Sequence, residues 1–182
     1  MTRFGCTLAT FLWAALFALP ALARDDPKPK VTAQQAIESS RKLLGQVTLT
    51  APWIHETKHG GYHLHVGVLS GGKLIGKLHL HPQTGVVISK RRAHALDEIE
   101  PTLTAAKAAV KEAGLALRAA RVAEHAKLAK HGEHWDTYVI REGEEILKLR
   151  HHAETGRPVE DWKAARERRR SRKPLGHEAS RP

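Results

Sequence analysis

Residues 61–85 read GYHLHVGVLSGGKLIGKLHLHPQTG, and a second version of this stretch follows later in the chain. When Gly61 is matched to Gly132, residues 132–156 (GEHWDTYVIREGEEILKLRHHAETG) align without a gap, and ten positions are identical. Self-similarity of this kind indicates one supersecondary unit used twice. The two stretches are called the first and second copy below.

Each copy is preceded by a segment with the features of a short amphipathic helix. VTAQQAI (31–37) resembles LTAAKAAV (103–110), and both segments carry small and apolar residues at helical spacing. Thr32 and Thr104 are the expected N-caps, because a threonine hydroxyl can accept a hydrogen bond from an unpaired backbone N–H group. The repeated unit therefore begins with one helix.

Glycines are expected to end both helices, at Gly45 and at Gly114. The segment after the first glycine, QVTLTAPWIHETKH, has the composition of strands. Its equivalent at 115–130, LALRAARVAEHAKLAK, is rich in helix formers. Because intrinsic propensity is weaker evidence than the repeat, we expect a strand at 115–130 as well.

Alternating side chains predict that the first copy is a β-hairpin with one apolar face and one histidine face. Apolar residues pair with apolar residues across the strands only if a three-residue loop lies at 71–73. That register places His65 opposite His79 and His63 opposite His81.

The same register in the second copy sets Asp136 opposite Arg150 and His134 opposite His152. Opposite charges that face each other across two strands stabilise a sheet. Because the register was chosen from the apolar residues alone, this ion pair supports it independently.

These elements predict an α+β fold of two tandem units, each with one short helix packed on an antiparallel meander of three to four strands. A helix followed by such a meander, whose last strand runs into Thr-Gly, resembles the PepSY domain. The matching residues are Thr32-Ala33 through Ala36-Ile37 and His81-Pro-Gln-Thr84-Gly85-Val-Val in the first unit, and Thr104-Ala105 and His152-Ala-Glu-Thr155-Gly156 in the second. The family typically has Asp three residues before this Thr, where His81 and His152 stand here.

The PepSY module is found in the propeptides of thermolysin-type peptidases and in many exported bacterial proteins. The resemblance implies a non-catalytic module that binds or restrains a peptidase, or an extracytoplasmic sensor domain. It implies no chemistry of its own, so we expect no enzymatic activity.

The N-terminus has the three parts of a Sec signal peptide. Arg3 supplies the positive region, residues 7–19 are apolar, and Ala21-Leu22-Ala23 is a small-residue cleavage site. An uncleaved membrane anchor is the alternative, although the apolar run is short for a spanning helix. We expect export to the periplasm or secretion.

The predicted organisation is a signal peptide at 1–23, a linker at 24–30, repeat 1 at 31–95, repeat 2 at 101–163 and a basic disordered tail at 164–182. The single cysteine, Cys6, excludes a disulfide scaffold and a cysteine-based metal cluster. The sequence does not indicate an oligomeric state.

The histidine face of the first hairpin is a candidate metal site formed by His63, His65, His79 and His81. Their Cβ atoms are expected roughly 4.5 to 7 Å apart, so the imidazoles could converge on zinc, copper or nickel. Affinity would then fall below about pH 6.5, where free imidazole takes up a proton. The alternative is a polar outer face with no specific ligand.

A second histidine pattern, HETKH at 55–59, matches the H-E-x-x-H motif of zinc peptidases. That motif requires a helix, so that both histidines reach one metal ion. Pro52 and Gly60-Gly61 leave too little room for one, and the repeat places a strand here. We therefore disfavour a zinc peptidase.

The chain is basic, with 30 Lys+Arg against 19 Asp+Glu and a formal net charge of +11. Six basic residues are concentrated near the C-terminus: Arg166, Arg168, Arg169, Arg170, Arg172 and Lys173. Such a run is typical of a solvated tail, and it could contact anionic lipid headgroups or an acidic partner. Nucleic acid is not an expected partner of an exported protein.

Two functions follow as hypotheses. The first is an exported PepSY-like binding protein that regulates a peptidase or another envelope partner. The second is a periplasmic metal-binding protein that uses the histidine face of the first hairpin.

Overall fold

The computed structural model describes residues 28–96 and 98–171. The predicted signal peptide and most of the predicted linker lie outside these residues. The helices are α1 (Ala33–Leu44), α2 (Lys90–Ala95), α3 (Leu103–Ala119) and α4 (Trp162–Arg170). The strands are β1 (Thr48–Leu49), β2 (Trp53–Glu56), β3 (Tyr62–Ser70), β4 (Lys73–Leu80), β5 (Val87–Ile88), β6 (Arg121–Leu128), β7 (His134–Arg141) and β8 (Glu144–His152). The predicted α+β class is confirmed.

The strands form two antiparallel sheets, one in each repeat. In the first sheet, β1 and β2 both pair with β3, and β3 is followed by β4 and β5. In the second sheet, the order is β6, β7, β8. Each sheet therefore contains one copy of the repeated hairpin, β3–β4 or β7–β8.

The start of α1 is as predicted, and the start of α3 differs. The hydroxyl of Thr32 accepts a hydrogen bond from the backbone of Gln35, whose side chain accepts one in return from the N–H of Thr32. The N-cap of α3 is Thr102, whose hydroxyl accepts from the N–H of Ala105. The prediction of Thr104 was wrong, because the helix begins two residues earlier.

Gly45 is the C-cap of α1 as predicted, but Gly114 lies within α3. The helix continues to Ala119, and the strand β6 follows at Arg121–Leu128. The expected strand over 115–130 is thus divided between helix and strand. Helix propensity decides the first five residues, where Ala116 and Leu117 add to the buried face of α3.

The register of both hairpins is confirmed, but the turns differ from the prediction. His65 pairs with His79, Asp136 with Arg150, and His134 with His152. The first turn has two residues rather than three, and a β-bulge next to Val68/Leu69 restores the predicted register. Both turn residues have positive φ, as a two-residue hairpin turn of this kind requires.

The helix of each repeat packs mainly on the sheet of the other repeat. Helix α1 contacts β6 and β7, whereas α3 contacts β1, β3 and β5. The buried alanines of α3 and the apolar faces of both hairpins belong to one core cluster. The two repeats therefore share a single hydrophobic core.

The two sheets approach each other at equivalent positions of the repeat. A Cβ atom at Gly76 would lie 2.7 Å from Cδ1 of Leu147 and 3.3 Å from the carbonyl oxygen of Lys148. Gly76 and Leu147 are matched residues of the two copies. The two copies therefore meet at matched residues of β4 and β8.

Helix α4 covers the histidine face of the first sheet. The side chain of Asp161 caps it, and the N–H of Asp161 donates to the carbonyl of Leu74 at 2.7 Å. The helix contacts β2 and β4. The predicted disordered tail therefore begins with an ordered helix, while residues 172–182 lie outside the described part. Among the residues that the structure describes, no helix is both long and apolar enough to cross a membrane.

Candidate metal centre

Three neighbouring strands bring the histidines of the first repeat onto one face. Across β2 and β3, His55 pairs with His63 and Trp53 pairs with His65. Across β3 and β4, His65 pairs with His79. Residues that pair directly in an antiparallel sheet point to the same side, so all five rings lie on the face opposite the apolar core.

This face is buried rather than solvated. The exposed fractions are 7% for His63, 0% for His65 and 6% for His79. Trp53, α2 and α4 contact the strands on this side. The alternative of a polar outer face was wrong for these three residues, because the covering elements come from distant parts of the chain.

Three of the four predicted ligands come together. One ring nitrogen each from His63, His65 and His79 lies within 4.8 Å of the other two. His81 is not part of this group. It is half-buried, and its Nδ1 accepts a hydrogen bond from the backbone of Gln83 at 3.2 Å.

The ring contacts within the group are close. Nε2 of His65 and Nδ1 of His79 are 3.2 Å apart, and their ring centroids are 4.6 Å apart. The ring of His63 lies 5.7 Å from that of His65 and 5.8 Å from that of His79. Within the described residues, Nδ1 of His65 is buried and has no hydrogen-bond partner.

Two further histidines flank the group. From the sequence, His55 is considered only as part of the HETKH pattern, and His94 is not considered. The ring of His94, on α2, lies 5.1 Å from that of His63. The ring of His55, on β2, stacks on that of His65 at 6.2 Å. His55 could have been inferred from strand alternation, but no pattern in the sequence places α2 against β3.

Burial keeps the central imidazoles neutral. It lowers the pKa of His79 from 6.5 to about 2, and the positive charge of Lys77 acts in the same direction. The pKa of His65 is also well below its ordinary value, first because of burial and then because of Lys77. Neutral imidazole is the form that coordinates a metal ion.

Lys77 is the charged group with the largest effect on His65 and His79, and α4 supplies its partner. Its ammonium group forms a close, largely buried ion pair with the carboxylate of Glu167. Burial lowers the pKa of Lys77, and the hydrogen bond to Glu167 opposes that shift. Glu167 thus stabilises the charged form of Lys77, whose positive charge still acts on the histidine cluster.

The second sheet has charged residues at the positions equivalent to His65 and His79. Asp136 stands where the first copy has His65, and Arg150 stands where it has His79. Asp136 accepts from Lys148 at 3.1 Å and lies 3.4 Å from Nε of Arg150. The second copy therefore has an ion-pair network, and the first has a cluster of buried imidazoles.

A separate buried histidine joins α1 to the second sheet. Nε2 of His151 and Oγ of Ser40 are 2.6 Å apart, and Ser40 is also 2.6 Å from the hydroxyl of Thr137. Nδ1 of His151 lies 3.2 Å from the carbonyl oxygen of Gly156. All three side chains are fully buried. The serine–histidine pair is therefore inaccessible to a substrate and anchors the helix.

The HETKH segment is not a zinc-peptidase motif. His55 and Glu56 lie in strand β2 and point to opposite faces, and His59 is beyond the end of that strand. A helix is needed to bring the two histidines to one ion. The structure therefore excludes that interpretation.

The basic residues near the C-terminus are only partly described. Arg166, Arg168, Arg169 and Arg170 lie on α4, whereas Arg172 and Lys173 are outside the described residues. Trp162, at the start of α4, is 64% exposed. One face of α4 is therefore buried and carries Glu167, and its outer face is basic.

The two His-x-x-Thr-Gly turns have the same local structure. The N–H of Gly85 donates to the carbonyl of His81 at 2.9 Å, and that of Gly156 donates to His152 at 2.8 Å. The Nδ1 atoms of His81 and His152 each accept from the backbone N–H two residues later. Histidine therefore serves as the turn acceptor at the position where a PepSY domain typically has Asp.

Comparison with protein-family models, with curated proteins and with solved structures found no match to this chain. The PepSY resemblance remains a prediction. The fold and the site define the molecule as a two-repeat α+β protein with a buried cluster of three histidines.

Proposed function

We propose that this protein binds one transition-metal ion, of zinc, copper or nickel, through His63, His65 and His79. The observation that carries the proposal is the convergence of three buried imidazoles, two of which stand where the second copy has an ion pair. Imidazole nitrogen is a common ligand of all three metals.

The required adjustment of the ligands is small. Two nitrogen atoms bound to one tetrahedral ion are about 3.4 Å apart, since each metal–nitrogen bond is about 2.0 to 2.1 Å. The nitrogens of His65 and His79 are already 3.2 Å apart. All three ligand nitrogens lie within 4.8 Å of one another, so no separation has to shorten by more than about 1.4 Å, a change that side-chain rotation can provide.

The direct test is titration of the chain from residue 24 onward with each metal, monitored by calorimetry and tryptophan fluorescence. Trp53 reports on the site, because its ring lies 5.4 Å from that of His65. We expect one ion per chain, and we expect the double variant His63→Gln/His79→Gln to lose it. A chain that retains no metal at one equivalent contradicts the proposal.

The second copy provides a matched control for the double variant. His134 and His152 form a cross-strand pair at the repeat positions of His63 and His81. The variant His134→Gln/His152→Gln removes the same number of imidazoles and leaves the three-histidine group intact. Equal loss of binding in both variants would indicate nonspecific binding by surface histidines.

The proposed setting is the periplasm or the extracellular space, with binding rather than catalysis as the role. This part of the proposal is supported by the composition of residues 1–23. Cell fractionation followed by N-terminal sequencing tests it. A mature N-terminus near Arg24 in the exported fraction is expected, and an intact Met1 in the cytoplasm contradicts export.

A second candidate function is recognition of an acidic envelope partner, such as a peptidase, or of an anionic membrane surface. The observation that favours it is the basic outer face of α4, where Trp162 is 64% exposed. Pull-down from an envelope extract at low and moderate salt tests the idea. We expect one protein to be enriched, to stay bound at moderate salt, and to be absent from the pull-down with the variant Arg166→Glu/Arg169→Glu. Recovery of only abundant acidic proteins would contradict specific recognition.

A further inference from the structure

We infer that a groove between the two repeats binds a long-chain carboxylate, with the acyl chain on its apolar lining and the head group at its arginines. The groove is separate from the histidine cluster, so the inference does not depend on the metal-binding function. Four features of the groove lead to it: the apolar lining, a glycine that keeps the groove open, the arginines, and the size.

The apolar lining is an opening in the shared hydrophobic core. The end of α1, the strand β1, the end of α3 and the start of β6 surround the groove, so both repeats contribute to it. Among the described residues, five partly buried apolar residues pack against the core. Four of them line this groove: Leu44, Val47, Leu49 and Ala120. Apolar surface that is left in contact with water favours binding of an acyl chain.

A glycine within α3 keeps the groove open. Gly114 lines the groove, although glycine destabilises the interior of a helix relative to alanine. A Cβ atom at this position would lie 3.8 Å from Nη1 of Arg118 and 3.9 Å from Cδ1 of Leu49, which are ordinary contact distances. Packing therefore does not require a glycine here, whereas a longer side chain would fill the space between α3 and β1.

The charged residues of the groove favour an anion. Of the described residues that line it, Arg41, Arg118 and Arg121 are basic, and Glu124 is the one acid. Arg41 lies 3.5 Å from a carboxylate oxygen of Glu38. In the part of the chain that the structure describes, Arg118 and Arg121 form no ion pair. The N–H groups of a guanidinium match the two oxygens of a carboxylate.

The size of the groove fits a small ligand. Its volume of about 760 Å³ lies within the range of about 300 to 1,000 Å³ that is typical of small-molecule sites. The alternative is an acidic peptide that adds a strand to the edge of β6. A β-bulge between Val122 and Ala126 interrupts that edge in the segment beside the groove, and such a bulge hinders regular pairing with an added strand.

The test is a titration with dodecanoate below its micelle concentration. The chain from residue 24 onward contains every described element, and a chelator is present so that the histidine cluster holds no metal. Displacement of dansyl-labelled undecanoate reports binding by fluorescence. We expect one dodecanoate per chain, bound at least about tenfold more tightly than dodecanol, which has the same chain and no charge.

One pair of variants tests the head-group contacts. Arg118→Gln/Arg121→Gln should weaken the binding of dodecanoate at least about tenfold and that of dodecanol by less than about twofold. The matched control, Arg166→Gln/Arg169→Gln, removes two positive charges from α4 and should leave both affinities unchanged. Equal effects of the two variants on dodecanoate would show that only net charge matters and would overturn the inference.

A second pair of variants tests the space for the acyl chain. Gly114→Leu should remove the binding of both dodecanoate and dodecanol, because the new side chain would fill the groove. Gly114→Ala adds only the Cβ atom that the structure accommodates, so it should not lower the melting temperature and should retain binding. If Gly114→Leu fails to fold, the arginine variants still decide the outcome.

The remaining outcomes are also decisive. Absence of dodecanoate binding, or binding of many molecules per chain, would overturn the inference. Displacement of dodecanoate at one equivalent by a peptide of alternating glutamate and valine would assign the groove to a peptide instead. None of these outcomes bears on the proposed metal site, since no variant changes a histidine.

Discussion

Acidification should destabilise this protein steeply, because the folded chain holds His65 and His79 without their protons. Burial lowers the pKa of His79 to about 2 and that of His65 well below 6.5. In the unfolded chain both rings return to a pKa of about 6.5. Below that pH the unfolded state binds protons that the folded state does not, so the free energy of unfolding falls as the pH falls.

The size of the effect follows from the number of protons. A histidine that stays neutral in the folded state contributes about 1.4 kcal/mol per pH unit until the pH approaches its folded pKa, which for His79 is about 2. Between pH 6.5 and pH 4.5 His79 alone reduces the free energy of unfolding by about 2.5 kcal/mol, and His65 adds to this loss. Since a domain of ordinary stability has about 5 to 15 kcal/mol in total, that loss is a large share of it.

The assay is urea unfolding at several pH values between 7.5 and 4.5, with chelator present so that bound metal does not contribute. The matched variant is His65→Gln/His79→Asn, which places amide atoms near the two ring nitrogens that lie 3.2 Å apart and removes both titrations. We expect the unmodified chain to lose at least about 1.4 kcal/mol per pH unit more than the variant, which is the share of His79 alone. Parallel pH profiles would refute the burial of neutral histidines.

Three further predictions concern binding and packing. Because the pKa of His79 is lowered to about 2, the rise in melting temperature caused by one equivalent of metal should persist at pH 5.5; its loss there would mean that the ligands titrate like free imidazole. The variant Ser40→Ala should lower the free energy of unfolding by about 1 to 3 kcal/mol in urea, since it removes the partner of Thr137 and His151, and an unchanged midpoint would show that the network contributes nothing. The variant Gly76→Ala should lower the free energy of unfolding by about 1 to 3 kcal/mol in the same assay, because the new Cβ would lie 2.7 Å from Cδ1 of Leu147. An unchanged free energy of unfolding would show that the two strands lie farther apart than described.

The local features of the fold could be predicted from the sequence. Alternation of apolar residues determined which residues of β3 and β4 pair, and the register of His65 with His79 followed from it. The turn was less predictable. A two-residue turn with a bulge and a three-residue loop give the same pairing farther along the strands, so the apolar pattern does not distinguish them.

The features that depend on distant segments could not be predicted. The histidine face has the alternation of a solvated surface, and its burial depends on α2 and α4, which come later in the chain. The periodic pattern of α1 also does not predict that it packs on the second sheet, because its apolar face would fit either sheet. His94 joins the site only through this tertiary arrangement.

The N-cap of α3 shows a different limit. Thr102 and Thr104 are equally suitable by residue type, and the repeat favoured Thr104 because the tripeptides VTA and LTA align. The helix begins at Leu103, after a threonine that follows Pro101. The residue before a helix is thus decided by where the preceding chain can turn, which a two-residue match does not specify.

The most direct test of the metal-binding claim is X-ray absorption spectroscopy at the metal edge, on the chain from residue 24 loaded with one equivalent of copper or zinc. We predict a first shell that contains three imidazole nitrogens at about 2.0 Å, and its loss in His63→Gln/His79→Gln but not in His134→Gln/His152→Gln. A first shell of oxygen atoms, or the same spectrum from both variants, would contradict a site formed by His63, His65 and His79.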